Sequence, residues 1–231
     1  MSEHGRPCGA PGHLAAILRG RHSCRWFKAD EVPRREIEEM LALAQTTPSW
    51  CNVQPWQVSI LSGNARERLS EALLRAARSE PKTPDFNPPA EYPSIHNARR
   101  RQAGYALYAS VGIPRHDAEA RAAQARENYR FFNAPHVALI TTDERLGVYG
   151  AVDCGGYVST LLLAAESLGI AAVPQAAIAM YAGVVRKELC LPEGKRIVCA
   201  VSFGYEDTAH PANGFRTPRS GLDEVVHWFD T

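Results

Sequence analysis

Two short segments of this 231-residue chain concentrate side chains that bind anions and planar polar rings. The first is Arg21-His22-Ser23-Cys24-Arg25, which sets two guanidinium groups, a hydroxyl and an imidazole directly after the helix-ending Gly20. Guanidinium offers fixed donor forks and a permanent charge, which is what a phosphate and a carbonyl-rich ring need. The second is Pro48-Ser49-Trp50-Cys51-Asn52-Val53-Gln54-Pro55-Trp56. Pro48 and Pro55 fix backbone angles, Asn52 and Gln54 supply amide donors and acceptors, and Trp56 anchors the loop in a core. Two later segments belong with them: Val173-Pro174-Gln175-Ala176, at the end of a short strand, and a basic loop carrying Arg216 and Arg219.

Other chemistries lack their signatures. The sequence has no G-x-G-x-x-G after a strand, no Walker loop, no G-x-S-x-G and no H-E-x-x-H. Its eight histidines are dispersed. Its six cysteines, Cys8, Cys24, Cys51, Cys154, Cys190 and Cys199, form no C-x-x-C pair and no zinc-ligand spacing. They read as reduced thiols in a cytoplasmic protein. The net charge of +1 provides no field to recruit nucleic acid or an anionic membrane. No apolar run reaches the roughly 20 residues expected of a membrane helix. Residues 1–12 are small and polar, lack the order of a signal peptide, and read as a flexible tail. Residues 13–231 read as one domain.

The positioning elements follow from hydrophobic period. His13–Arg19 reads as a short helix with Leu14, Ile17 and Leu18 inward. A second helix opens at Pro33 and runs to about Gln45, with Ile37, Met40, Leu41 and Ala44 as its apolar stripe. A strand spans Trp56–Leu61, closed by Ser62-Gly63-Asn64, and an amphipathic helix covers Ala65–Ser79. Residues 80–94 hold five prolines and cannot be regular. Two readings stand for them: a lid over a ligand, or a surface excursion. Phe86 and Tyr92 are their only aromatic residues, able to stack on a flat ring. Helices over Asn97–Val111 and Asp117–Arg130 precede a buried strand, His136–Thr141. Arg99, Arg100 and Arg101 read most simply as a solvated face, with a substrate or cofactor phosphate contact as the lesser reading. Gly150–Leu168 is apolar nearly all round, as a helix buried at a domain centre or a subunit interface must be. A strand at Ile170–Val173, a helix at Met180–Leu189, a strand at Ile197–Tyr205 and an irregular basic stretch to Leu222 complete the chain. Val225-Val226-His227-Trp228-Phe229 is an apolar terminus.

In order, from about Leu14 to Trp228, these segments resemble the flavin-binding signature of the nitroreductase family: R-x-S-x-R, then P-S-x-x-N-x-Q-P-W. The resemblance implies an α+β fold, a central mixed β-sheet flanked by helices, and an intertwined homodimer with FMN at the subunit interface. In that pattern Arg21 and Ser23 hold the FMN phosphate with Arg219, Arg25 lies at the pyrimidine edge, and His22 and Cys24 contribute main-chain contacts. Pro48, Ser49, Asn52 and Gln54 meet the ring from the second subunit. Val173, Pro174, Gln175 and Ala176 line its other side, and Arg216 is a further cofactor-binding residue that lies outside the tightest match. Some branches carry an acidic residue where this chain has Gln175. Gly104-Tyr105-Ala106-Leu107-Tyr108 and Phe131-Phe132-Asn133-Ala134-Pro135-His136 resemble the nitrobenzoate and dinitroaniline reductase branch.

The resemblance further implies ping-pong chemistry, with hydride passing from NAD(P)H through flavin N5 to a nitroaromatic or quinone, and no dedicated catalytic side chain. Arg25 would support the charge of the reduced ring. Phe86 and Tyr92 would face the substrate. The alternatives are another flavin reaction on the same fold (reductive dehalogenation, enone reduction or flavin fragmentation) or a flavin-binding protein without turnover.

Overall fold

The computed structural model describes residues 12–230, so most of the expected N-terminal tail, residues 1–11, and Thr231 lie outside the described residues. Four strands form one sheet: β1 (Gln57–Ser62), β2 (His136–Asp143), β3 (Ala171–Gln175) and β4 (Lys195–Gly204). Around it lie α1 (Gly12–Gly20), α2 (Arg34–Ala44), α3 (Gly63–Ser79), α4 (Ser94–Ser110), α5 (Ala118–Arg126), α6 (Gly147–Ser167), α7 (Ala176–Ala179) and α8 (Ala182–Glu188).

The strand order is β1-β2-β4-β3 and every neighbouring pair is antiparallel, with Ser59 opposite Leu139, Leu139 opposite Ala200, and Val173 opposite Ser202. The expectation of a mixed sheet is therefore corrected. The α6 crossover does return β3 in the direction of β2, but β4 inserts between them and pairs antiparallel with both. Among the described residues the parallel pairing is the isolated bridge from Ser23 to Ala172.

Side chains alternate across β2 and divide the core into two layers. Val137 and Leu139 pack with Leu69, Leu73, Ile178 and Val185 of α3, α7 and α8. Ala138 and Ile140 pack with Met40 of α2 and with Tyr157 and Leu161 of α6. The helical stripes match their period: Ile37, Met40 and Ala44 are buried in α2, and Leu69, Ala72, Leu73 and Ala76 in α3. Such two-faced coverage accounts for β2, which is buried from His136 through Thr142.

Several expectations change in detail. Leu14 and Leu18 of α1 are more than half exposed, because this helix meets α6 along one edge only. The helix expected over Asp117–Arg130 ends at Arg126 and continues as a 3-10 turn over Glu127–Asn133. There Phe131, Phe132 and Asn133 take φ of 57°, 52° and 67°, a left-handed backbone that sends both rings into the core. The expected Met180–Leu189 helix is shortened to α8, and α7, which was not expected, precedes it; between them lies buried Tyr181, whose ring meets Tyr129 edge-on at 5.5 Å. Contrary to the sequence expectation, Glu144–Ser167 is long and apolar enough to cross a membrane by length and composition. Its small residues hide the run from a residue-by-residue reading, and Cys154, Tyr157, Leu161 and Ala165 are buried against the rest of the fold.

Candidate flavin site

The segment from Arg21 to Phe27 is stitched to one end of the β3/β4 pair, where β3 begins and β4 finishes. Cys24 donates its N–H to Ala172 O at 3.2 Å beside the Ser23 bridge, and Phe27 bridges to Glu206 just past β4. Gly204 makes the close approach possible: a Cβ there would lie 2.7 Å from Pro135 Cδ and 3.5 Å from Phe27 Cδ1. His22 reaches Glu206 Oε1 through Nε2 at 3.0 Å and Gly20 O through Nδ1 at 3.2 Å. Trp26 stacks on His210 with ring centroids 4.3 Å apart.

The central clamp is Asn213, which is buried. Its Oδ1 accepts the Arg25 N–H at 2.7 Å, and its Nδ2 donates to Trp26 O and Asp207 O, each at 2.9 Å. It brings the basic C-terminal loop against the first motif. Sequence reading missed it, and missed Phe215 and Thr217 as well; the turn-forming Asn213-Gly214 pair ahead of the basic loop was the available signal.

The result is a cavity of about 220 Å³ lined by Arg21, His22, Ser23, Arg25, Arg216 and Arg219, with Leu18, Arg19, Phe215 and Thr217. None of these arginines pairs with a carboxylate among the described residues. Arg25 donates to Ser23 O at 3.2 Å and lies over the Phe215 ring at 5.5 Å. Arg216 and Arg219 donate to main-chain carbonyls, and Arg219 also to Thr217 Oγ1. Burial pulls the Arg25 pKa down, yet a guanidinium stays charged. Clustered cations with hydroxyls and no counter-charge suit a phosphomonoester, so the residues present fit FMN.

Cys24 contributes only its main chain here. Its side chain is fully buried, donates to Trp26 O at 3.1 Å, and has its thiol pKa pushed up to about 12, first by desolvation. Strand alternation divides the third segment in the same way: Val173 and Gln175 point inward while Pro174 and Ala176 are exposed. Gln175 is fully engaged in the core, its Nε2 donating to Asn128 O at 2.9 Å and its Oε1 accepting from Ser202 Oγ.

The second motif does not join the arginine cavity within this chain. Pro48, Asn52 and Gln54 are exposed, Ser49 is half-buried, and none of them lines it. The loop is held in an unusual shape, with φ of 51°, 56° and 49° at Cys51, Asn52 and Gln54. Ser49 Oγ accepts the Gln54 N–H at 2.9 Å, and Gln45 links Gln54 to the Trp56 indole, each contact 3.0 Å. Such strain gathers where a loop presents itself to a ligand.

Phe86 and Tyr92 line neither the arginine cavity nor the larger cavity beside it. The chain before Phe86 is pinned down: Asp85 Oδ2 pairs with Arg186 at 2.8 Å and accepts the Ile197 N–H at 2.8 Å. Tyr92 is exposed, with Arg100 over its ring at 5.1 Å.

An antiparallel sheet that docks an R-x-S-x-R segment beside a basic loop defines a flavoprotein class. The nitroreductase family model matches residues 18–205, and the chain belongs to that family. It is 39% identical over 214 residues to nitroreductase NfnB of Mycolicibacterium smegmatis, covering 92% of this chain and 91% of that protein. It is 35% identical to a 4-nitrobenzoate reductase of a Nocardioides species, over 91% of this chain and 87% of that one. The crystal structure of the FMN-dependent nitroreductase NfnB from Mycobacterium smegmatis in complex with NADPH superposes with a TM-score of 0.89, 38% identity, and coverage of 94% of this chain and 99% of that one.

Proposed function

We propose that this chain is an FMN-dependent nitroreductase that uses NADPH and acts on nitroaromatic substrates. The observation that carries the reading is the uncompensated arginine cluster around Ser23, set on a chain that is similar to FMN- and NADPH-dependent nitroreductases over nearly its whole length. When bound, FMN would take hydride from NADPH at N5 and pass it to the nitro group.

This chain's residues bind, orient and compensate charge. Arg21, Ser23 and Arg219 hold the phosphate, with Arg216 beside them. Arg25, more buried and fixed by Asn213, stabilises negative charge at the ring edge. His22 and Cys24 fix the backbone between them. Val173, Pro174, Gln175 and Ala176 form the ring's floor, with the side chains of Val173 and Gln175 holding it from the core side. Phe86 and Tyr92 would serve the substrate only in an assembled pocket.

The functional unit is residues 13–231 as an intertwined homodimer in the cytoplasm, with Pro48, Ser49, Asn52 and Gln54 reaching the partner's flavin. Exposed apolar residues support the dimer. Trp50, Val53, Val148, Tyr149 and Val152 are each at least half exposed, and Trp228 and Phe229 are 80% and 91% exposed.

The test is the visible spectrum of the purified protein before and after anaerobic NADPH, followed by addition of 4-nitrobenzoate. Bleaching by NADPH and recovery with the nitroaromatic are expected. A colourless protein that FMN cannot reconstitute would overturn the reading.

A further inference from the structure

The arginines of α4 and of the loop after it stand on an exposed face, as expected, but they differ in their partners. Arg99 is neutralised, donating to Glu224 Oε2 at 2.9 Å and to Ser220 Oγ. Arg101, Arg115 and Arg121 have no carboxylate partner among the described residues. Arg101 and Arg115 converge on Tyr105. The Arg115 guanidinium lies over its ring at 4.4 Å, that of Arg101 at 5.7 Å, and Arg101 Nη2 donates to its hydroxyl at 3.1 Å. Arg121 donates only to a main-chain carbonyl, Asp117 O, at 3.2 Å. The Tyr105 hydroxyl registers this field: its pKa falls below the ordinary value, first through the Arg101 hydrogen bond and then its charge, with Arg115 and Arg121 adding.

Arg101 and Tyr105 separate two cavities, of about 760 Å³ and 340 Å³, that flank α4. Gln102 lines the larger one and also the neighbouring cavity, which shares Thr217 and Arg219 with the candidate flavin-phosphate site. Like charges held together around a ring cost free energy unless an anion offsets them. The larger cavity presents two of these cations, Arg101 and Arg115, and two unpaired guanidiniums match a phosphate monoester dianion. The reductant proposed above carries that group on its adenosine ribose, as the 2′-phosphate that distinguishes NADPH from NADH.

We propose that Arg101 and Arg115, gathered on Tyr105 in the larger cavity, form the site that receives the 2′-phosphate of NADPH and makes this enzyme select NADPH over NADH. The inference rests on the NADPH reading, and the test separates the two. The FMN-loaded protein is titrated calorimetrically with 2′,5′-ADP, with 5′-AMP and with 4-nitrobenzoate. It should bind 2′,5′-ADP at least about tenfold more tightly than 5′-AMP, a charge-assisted contact's worth. Arg115→Ala and Arg101→Gln should each abolish most of that difference while FMN content and melting temperature stay unchanged. In turnover, both variants should raise KM for NADPH about tenfold and leave kcat within about twofold. Equal binding of the two adenosine phosphates by the wild-type protein would overturn the assignment. So would variants that keep the preference, or variants that lose affinity for 4-nitrobenzoate but not for 2′,5′-ADP. A protein that shows the 2′,5′-ADP preference but whose flavin NADPH fails to reduce would refute the proposed function and leave this site standing.

Discussion

Asn213 accepts the main-chain N–H of Arg25 at 2.7 Å across 188 residues of sequence, and so joins the first anion-binding segment to the last. Neither residue could hold its position alone. The segment from Arg21 to Phe27 belongs to no helix or named strand, and the basic loop after Asn213 is irregular. The amide supplies one acceptor and two donors at the one point where both segments have main-chain groups to satisfy.

Asn213→Ala should therefore act on both stability and cofactor retention. Leaving the Arg25 N–H and the Trp26 and Asp207 carbonyls without this partner should cost at least about 2 kcal/mol. Melting temperature should fall, and FMN should be released on dilution although every arginine remains. Asn213→Asp, which keeps the acceptor and loses the donors, should be intermediate. Wild-type FMN retention in the alanine variant would remove Asn213 from the site.

The arginines should separate into two kinetic classes. Arg25→Ala should slow flavin reduction by NADPH more than it weakens FMN binding, losing about 2–4 kcal/mol of transition-state stabilisation. Arg21→Ala and Arg219→Ala should chiefly release FMN, each losing about 1.5–3 kcal/mol. Rapid-mixing kinetics and equilibrium dialysis on the same preparations make the comparison. If all three variants merely lowered FMN affinity by similar amounts, the ring-edge role of Arg25 would be wrong.

Val152 on α6 is 60% exposed, close to exposed Tyr149, which meets Trp50 edge-on at 4.5 Å. Val152→Asp should place a charge in the proposed dimer seam. Sedimentation velocity should then show monomers, with flavin lost in proportion. A wild-type chain that sediments as a monomer and still holds FMN would contradict the dimer.

His136 should make stability depend on pH. It is buried, its Nε2 accepts the Val32 N–H at 2.9 Å, and its Nδ1 lies 2.6 Å from Ser62 Oγ. Burial lowers its pKa, opposed by Glu31 and aided by Arg66. The folded state thus prefers the neutral ring. Its contribution is intact above the unfolded value, about 6.5, and is lost as pH falls toward the lower folded value. The melting temperature should drop between pH 7 and pH 5 more steeply in the wild type than in His136→Gln. Parallel curves for the two proteins would remove His136 as the cause.

Local chemistry was legible in the sequence; long-range partnership was not. Arg21, Ser23, Arg25, Arg216 and Arg219 stood out by residue type, and they do share one cavity. The strand at β2 followed from its β-branched apolar run, and the stripes of α2 and α3 from period. The antiparallel sheet was hidden because nothing in β4 announces that it lies between β2 and β3. Asn213 looked like an ordinary turn residue because its partners are far away in sequence. The short helix α7 escaped because Ala176–Ala179 is a single turn, too short to show a period. The Arg99-Arg100-Arg101 run, uniform as letters, divides in space into Arg99, paired with Glu224, and Arg100 and Arg101, which meet no carboxylate among the described residues.

The insertion of β4 between its neighbours has a consequence for synthesis on the ribosome. A nascent chain can pair β1 with β2 as soon as both have emerged, but the far edge of β2 stays bare until residues 195–204 appear. Such an edge invites association with other chains and calls for chaperone cover. The arginine cavity comes later still, because its second wall begins beyond Asn213. Flavin loading must therefore wait until the basic loop has emerged, and overexpression without matching flavin supply should yield apoprotein.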